Sequence, residues 1–110
     1  MAFEIFQSEK TGKYHLRLKA RNGQIVLTGE AYNAKASAEN GVQSIIKNTV
    51  DGDGMFDRKT AKNGSPYFVL KSTNGQVIGK SEMYSSKSSM EKGIRSVIKN
   101  AAVGSVKDLT

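Results

Sequence analysis

The strongest constraint on this chain is that it repeats itself. Leu18-Lys19-x-x-Asn22-Gly23-Gln24 returns 52 positions later as Leu70-Lys71-x-x-Asn74-Gly75-Gln76. Glu30-x-Tyr32-x-x-Lys35-x-Ser37-x-Glu39-x-Gly41 returns as Glu82-x-Tyr84-x-x-Lys87-x-Ser89-x-Glu91-x-Gly93, and Ser44-x-Ile46-Lys47-Asn48 as Ser96-x-Ile98-Lys99-Asn100. One gapless offset throughout marks an internal duplication. Units of about fifty residues bury too little surface to be stable alone, so the two are expected to share one core. The expected organisation is a single domain, 1–110, with repeat one at about 2–50, repeat two at about 54–102 and a C-terminal strand at 103–110.

Within each copy the hydrophobic period changes from two to that of a helix. Phe3 to Ser8 reads as a first strand. Tyr14, Leu16, Leu18 and Ala20 then alternate with His15, Arg17, Lys19 and Arg21, the pattern of a half-buried strand. Asn22-Gly23 predicts a two-residue type I′ hairpin, because that turn needs two residues tolerant of positive φ. Such a turn pairs Arg21 with Gln24, Lys19 with Val26, Arg17 with Thr28 and His15 with Glu30 on the outward face. Ala38, Val42, Ile45, Ile46 and Thr49 form an apolar helical stripe, matched by Met90, Ile94, Val97, Ile98 and Ala101 in the second copy. Asn33 and Ser85 are the expected N-caps. Gly41 and Gly93 sit mid-helix, each at a cost of about 1 kcal/mol relative to Ala, which points to close packing there.

In the second copy, Phe68 and Leu70 read as inward, and Tyr67, Val69, Lys71, Ile78 and Lys80 as outward. Val106 to Leu109 predicts a short last strand. Asp51-Gly-Asp-Gly54 joins the copies and begins like a calcium loop. Phe56 and Lys62 stand where an EF-hand needs glycine and glutamate, so calcium binding is rejected.

The hairpin, the Glu82-Met-Tyr-Ser-Ser-Lys87 segment, the Glu-x-Gly helix and the Lys-Asn exit resemble the YegP-like family of uncharacterised bacterial proteins, in a duplicated form. The resemblance implies an α+β fold of two tandem β-β-β-α-β repeats. The repeats share one antiparallel sheet with both helices on one face, and their closing strands are exchanged. It also implies that single-unit members dimerise and that a duplicated chain is the monomeric, pseudo-dimeric equivalent. It brings no catalytic residues and no activity.

Chemistry is sparse. The chain has no cysteine and one histidine, so thiolate and Cys/His metal sites are not expected. It has no phosphate-binding glycine loop and no nucleophile motif. A His15–Glu30 pair reads as a cross-strand surface pair, not an acid–base couple. No catalytic residue, metal or cofactor is expected. Nothing at the start reads as a secretory signal and no window reads as a membrane span, so a cytoplasmic protein is expected.

The net charge of +7 favours anionic partners. Two helices cover one side of a sheet and leave the other open. That open side is expected to carry Arg17, Lys19, Arg21, Tyr67, Lys71 and Lys80, with His15 and with Val26, Val69 and Ile78 among them; Phe6 or Phe56 is a further aromatic candidate. Cations with an aromatic on an open sheet suit single-stranded nucleic acid or another anionic polymer. The alternative is a protein-interaction module, docking an acidic partner on this face or a strand on an edge.

Overall fold

The computed structural model describes residues 2–49, 55–101 and 105–110. Three strands, β1 (Ala2–Gln7), β2 (Tyr14–Lys19) and β3 (Ile25–Tyr32), lead into helix α1 (Lys35–Thr49). Three more, β4 (Phe56–Thr60), β5 (Pro66–Lys71) and β6 (Val77–Lys80), lead into α2 (Lys87–Asn100), and β7 (Ser105–Asp108) follows. All seven strands form one sheet in the order β4-β5-β6-β3-β2-β1-β7. The Asp51–Gly54 connector, the repeat boundaries at 50, 54 and 102, and the start of the tail at 103 and 104 lie outside the described residues.

Alternation sends Phe3, Ile5, Leu16, Leu18, Leu27, Phe68 and Leu70 to one face of the sheet. There they join Ala38, Val42 and Ile45 of α1 and Met90, Ile94 and Val97 of α2 in one buried cluster. Both helices therefore lie on the same side, and one core serves the whole chain. Ion pairs pin each edge strand to a helix. Arg58 of β4 donates to Glu91 of α2 at 2.8 Å, and Lys35 at the start of α1 pairs with Asp108 of β7.

The sheet is mixed, which corrects the expectation of an antiparallel one. β7 pairs with β1 in parallel, Phe3 opposite Val106 and Glu4 opposite Lys107. A hairpin enforces antiparallel pairing with the strand before it, but β7 follows α2 and pairs with a strand from the far end of the sequence, so no tight turn sets its direction. In the sheet, β7 follows α2 in the chain yet lies beside β1, at the end opposite β4.

The turn chemistry differs from expectation as well. Gly23 N–H donates to the Ala20 carbonyl at 3.0 Å and Ala20 N–H to the Gln24 carbonyl at 2.9 Å. Gly23 takes φ +83°, and among the described residues no non-glycine has positive φ. This is a three-residue loop, a type I turn followed by a glycine bulge, and the Asn22 side chain closes it by accepting from Gln24 N–H at 3.0 Å. Ser72 to Gln76 repeats it bond for bond. The register shifts twice: at the hairpin bulge Lys19 faces Ile25, not Val26, Arg17 then does face Thr28, and a second irregularity between Arg17 and His15 sets His15 opposite Ala31, not Glu30. Ile78, the bulge residue of the second hairpin, turns into the core instead of outward, and Val26 packs against the core in the same way.

The helix cap lies one residue later than expected, at Ser86, whose side chain accepts from Ser89 N–H. The mid-helix glycines do mark close packing. A Cβ on Gly41 would stand 2.8 Å from Leu16 Cδ2 and 2.9 Å from Tyr32 Cζ, and one on Gly93 2.8 Å from Tyr84 Cζ. The tyrosine rings are rigid and cannot yield. Gly41→Ala and Gly93→Ala are therefore expected to destabilise by about 1–3 kcal/mol despite better helix propensity, read as a lower thermal midpoint. A rise in midpoint would show that the tyrosines are free to move off the helices.

Candidate anion-binding face

The side of the sheet away from the helices is set by the same alternation that builds the core. Glu4 and Phe6 of β1 stand beside His15, Arg17 and Lys19 of β2, and Asp57 and Lys59 of β4 beside Tyr67, Val69 and Lys71 of β5. Lys80 of β6 lies across from Val69 and from Thr28, near the middle of the sheet.

Two carboxylates organise these cations. Arg17 Nε donates to Glu4 Oε1 at 2.7 Å, and Lys19 Nζ lies 3.5 Å from the same oxygen. In the other half Asp57 lies 3.1 Å from Lys71 Nζ and 3.5 Å from Lys59 Nζ. The Arg17 hydrogen bond holds the Glu4 carboxyl below the usual carboxylate range, and the Lys71 hydrogen bond does the same for Asp57. Arg17 also lies over the Phe6 ring at 4.3 Å, and Phe6 stacks on His15 at 5.3 Å between centroids. Lys80 Nζ stands 5.2 Å from the Tyr67 centroid.

The predicted site residues thus fall into two groups. Tyr67, Lys71 and Lys80 share one half of the face. Arg17 and Lys19 share the other, and Arg21 sits just beyond them in the hairpin turn. Lys19 and Arg21 line one crevice of about 390 Å³ together with Lys107, bordered by Glu4. Lys107 was not anticipated, because only the parallel pairing of β7 with β1 carries it there. Of the aromatic candidates, Phe6 belongs to the face and Phe56 to the core. Val69 does lie on this side, but it is buried beneath its neighbours and only 5% exposed. His15 has Phe6 as its partner, and Glu30 lies elsewhere, at the junction of β3 with β6.

Among the described residues no cluster of His, Cys, Asp and Glu could hold a metal ion, and no helix is long and apolar enough to cross a membrane. The family model for a domain of unknown function, DUF1508, matches twice, over residues 9–53 and 61–108. The chain belongs to this YegP-like family. It is 54% identical to a UPF0339 protein of Acinetobacter baylyi, over 98% of this chain and 96% of the relative. It is 48% identical to the UPF0339 protein YegP of Yersinia pestis, over 98% of this chain and 95% of the relative. Two solution NMR structures share the fold. A UPF0339 protein of Shewanella oneidensis has a TM-score of 0.90 at 39% identity, covering 99% of this chain and 91% of the other. YegP of E. coli, described as a protein of unknown function, has a TM-score of 0.90 at 42% identity, covering 99% and 92%.

The ion pairs fix a sign for acid stability. Glu4, Asp57, Glu91 and Asp108 are each held below the usual carboxylate range, chiefly by hydrogen bonds from Arg17, Lys71, Arg58 and Lys35 in turn. A depressed carboxyl contributes stability that is present above its unfolded pKa, near 4, and is lost as pH falls through its folded value. The thermal midpoint is expected to fall as pH drops from about 5 toward 2, and Glu4→Gln to flatten that fall while lowering the midpoint at neutral pH. A profile unchanged by Glu4→Gln would remove Glu4 from the account.

Proposed function

We propose that this protein is a non-enzymatic, cytoplasmic binder of single-stranded nucleic acid or a similar anionic polymer, acting through the open face of its sheet. The observation that carries the reading is the convergence of Lys19, Arg21 and Lys107 on one crevice, continuous with Arg17 and the Phe6 ring. Cations at that spacing take backbone phosphates, and the Phe6 and Tyr67 edges offer apolar surface to bases. Glu30 and Glu82 border the central junction and keep phosphate to the flanks.

The two halves are read as tandem copies of one unit in a monomer. Thr28 and Lys80, which are 52 positions apart, are each other's partners across the central joint, as a local two-fold axis there requires. A second reading, a protein-docking edge, draws on Val106 and Leu109 of the last strand and its tail, 48% and 53% exposed.

An NMR titration of labelled protein with short single-stranded RNA and DNA separates the two. Shifts are expected on Arg17, Lys19, Arg21 and Lys107. With three phosphates engaged, affinity should drop about twentyfold between ~50 and ~200 mM salt. The exposed pair Arg21→Gln and Lys107→Gln should remove most of the binding and leave stability within ~0.5 kcal/mol. Charge reversal at Arg17 is a poorer probe, since it would set a carboxylate against Glu4. Silence at ~50 mM salt would sink the nucleic-acid reading.

A further inference from the structure

β3 and β6 are joined by two residue pairs only, Thr28 with Lys80 and Gly29 with Gly79. Beyond that joint the strands part, and α1 closes the gap from the helix side. The result is a crevice of about 700 Å³, within the size of small-molecule sites. Glu30, Tyr32, Ser37, Asn40, Ser44 and Gln76 are its polar residues, and Val77 and Ile78 supply an apolar wall. No Lys or Arg lines it.

Two features set it apart from an ordinary surface dip. Tyr32 is half-buried with its hydroxyl over Gly41, and neither that hydroxyl nor the Glu30 carboxylate is bonded to any described residue. Burial, and then the negative charge of Glu30, raise the Tyr32 pKa, so the hydroxyl keeps its proton and the carboxylate lies within electrostatic reach of it.

The second feature is a counterpart at the other end of the joint. It is lined by Glu82, Tyr84, Gly93 and Ser96, the residues 52 positions on from Glu30, Tyr32, Gly41 and Ser44. There Met83 stands in place of Ala31 and Lys92 in place of Asn40, and the space is about 250 Å³. One crevice brings its own ammonium group and is narrowed. The other is open and acidic.

We propose that the open crevice binds a small organic cation, a primary ammonium on a short apolar body. The ammonium group has three protons to give, and Glu30, the Tyr32 hydroxyl oxygen and the Asn40 side-chain carbonyl are three acceptors for them. The body lies against Val77 and Ile78. An anion meets an uncompensated carboxylate, and a neutral ligand forgoes the charge-assisted bond.

The test is an amide NMR titration of the full chain with n-butylammonium chloride, and with n-butanol and sodium butyrate as probes of similar shape. Saturable shifts are expected on Glu30, Tyr32, Ser37 and Asn40 with the ammonium probe, which should bind about tenfold more tightly than butanol. Glu30→Gln, at an exposed position, and Asn40→Lys, which copies the second crevice, should each weaken binding about tenfold, and Glu82→Gln should not. Equal binding of butanol, shifts centred on Glu82 and Ser96, no saturable shift, or indifference to Glu30→Gln would each overturn the proposal.

Discussion

The short joint between β3 and β6 is the constraint from which the rest of the structure follows. Within it Gly29 faces Gly79, and a side chain on either would collide with the core: a Cβ on Gly29 would stand 2.6 Å from Leu16 Cδ1, and one on Gly79 2.9 Å from Leu27 Cδ2. The leucines occupy the room the glycines leave, so the core runs unbroken beneath the joint. A longer ladder would have closed the sheet on both sides of it. Ser81 helps prevent that, its hydroxyl accepting from Phe68 N–H at 2.9 Å and donating to the Glu82 carbonyl at 2.9 Å. β6 therefore ends after Lys80, and the chain leaves toward Tyr84. The two crevices flanking the joint follow from a sheet that is continuous only at its middle.

On the open face, electrostatics and packing act on the same atoms. Glu4 gathers Arg17 and Lys19, and Arg17 then covers Phe6. The aromatic ring is thus shielded from water by a cation whose position is fixed by a carboxylate. Such clusters order long side chains at modest net gain, because exposed ion pairs contribute little on their own. Their consequence is directional. The guanidinium is committed to Glu4, while Arg21 and Lys107 form no ion pair among the described residues. The accessible positive charge on this half has therefore shifted from the strand centre to its end.

Much of the fold was legible because the sequence writes each pattern twice. Both helices, both hairpins, the inward rows and the meaning of Gly41 and Gly93 follow from periodicity and from what a glycine permits. The errors share a cause. The Asn-Gly dipeptide fits either a two-residue turn or a type I turn with a bulge, and the difference of one residue moves Ile78 from one face to the other. The parallel pairing of β7 was hidden because pairing through a crossover depends on where a helix ends, not on local sequence. Lys107 was missed for that reason. The crevice beside Glu30 was missed because it is made by strands that fail to pair, and no local pattern encodes an absence of pairing.

The halves differ in the core as well as on the surface: Leu16 against Phe68, Ala38 against Met90, Val42 against Ile94 and Ile45 against Val97 trade size within one packed cluster. Gly41 and Gly93 with Tyr32 and Tyr84 are the same in both, each glycine packing against the tyrosine of its own half, and Leu18 and Leu70 are the same buried residue. Arg17 against Val69, His15 against Tyr67 and Thr28 against Lys80 differ, and all lie on the open face. Ala31 against Met83 and Asn40 against Lys92 differ, and all line the crevices. The differences on the open face make the two ends of the molecule chemically unequal: one carries the Lys19–Arg21–Lys107 cluster, the other the Tyr67–Lys80 pair. A linear partner with distinct ends can use that inequality to choose a single orientation, whereas two identical halves would have bound it in either direction.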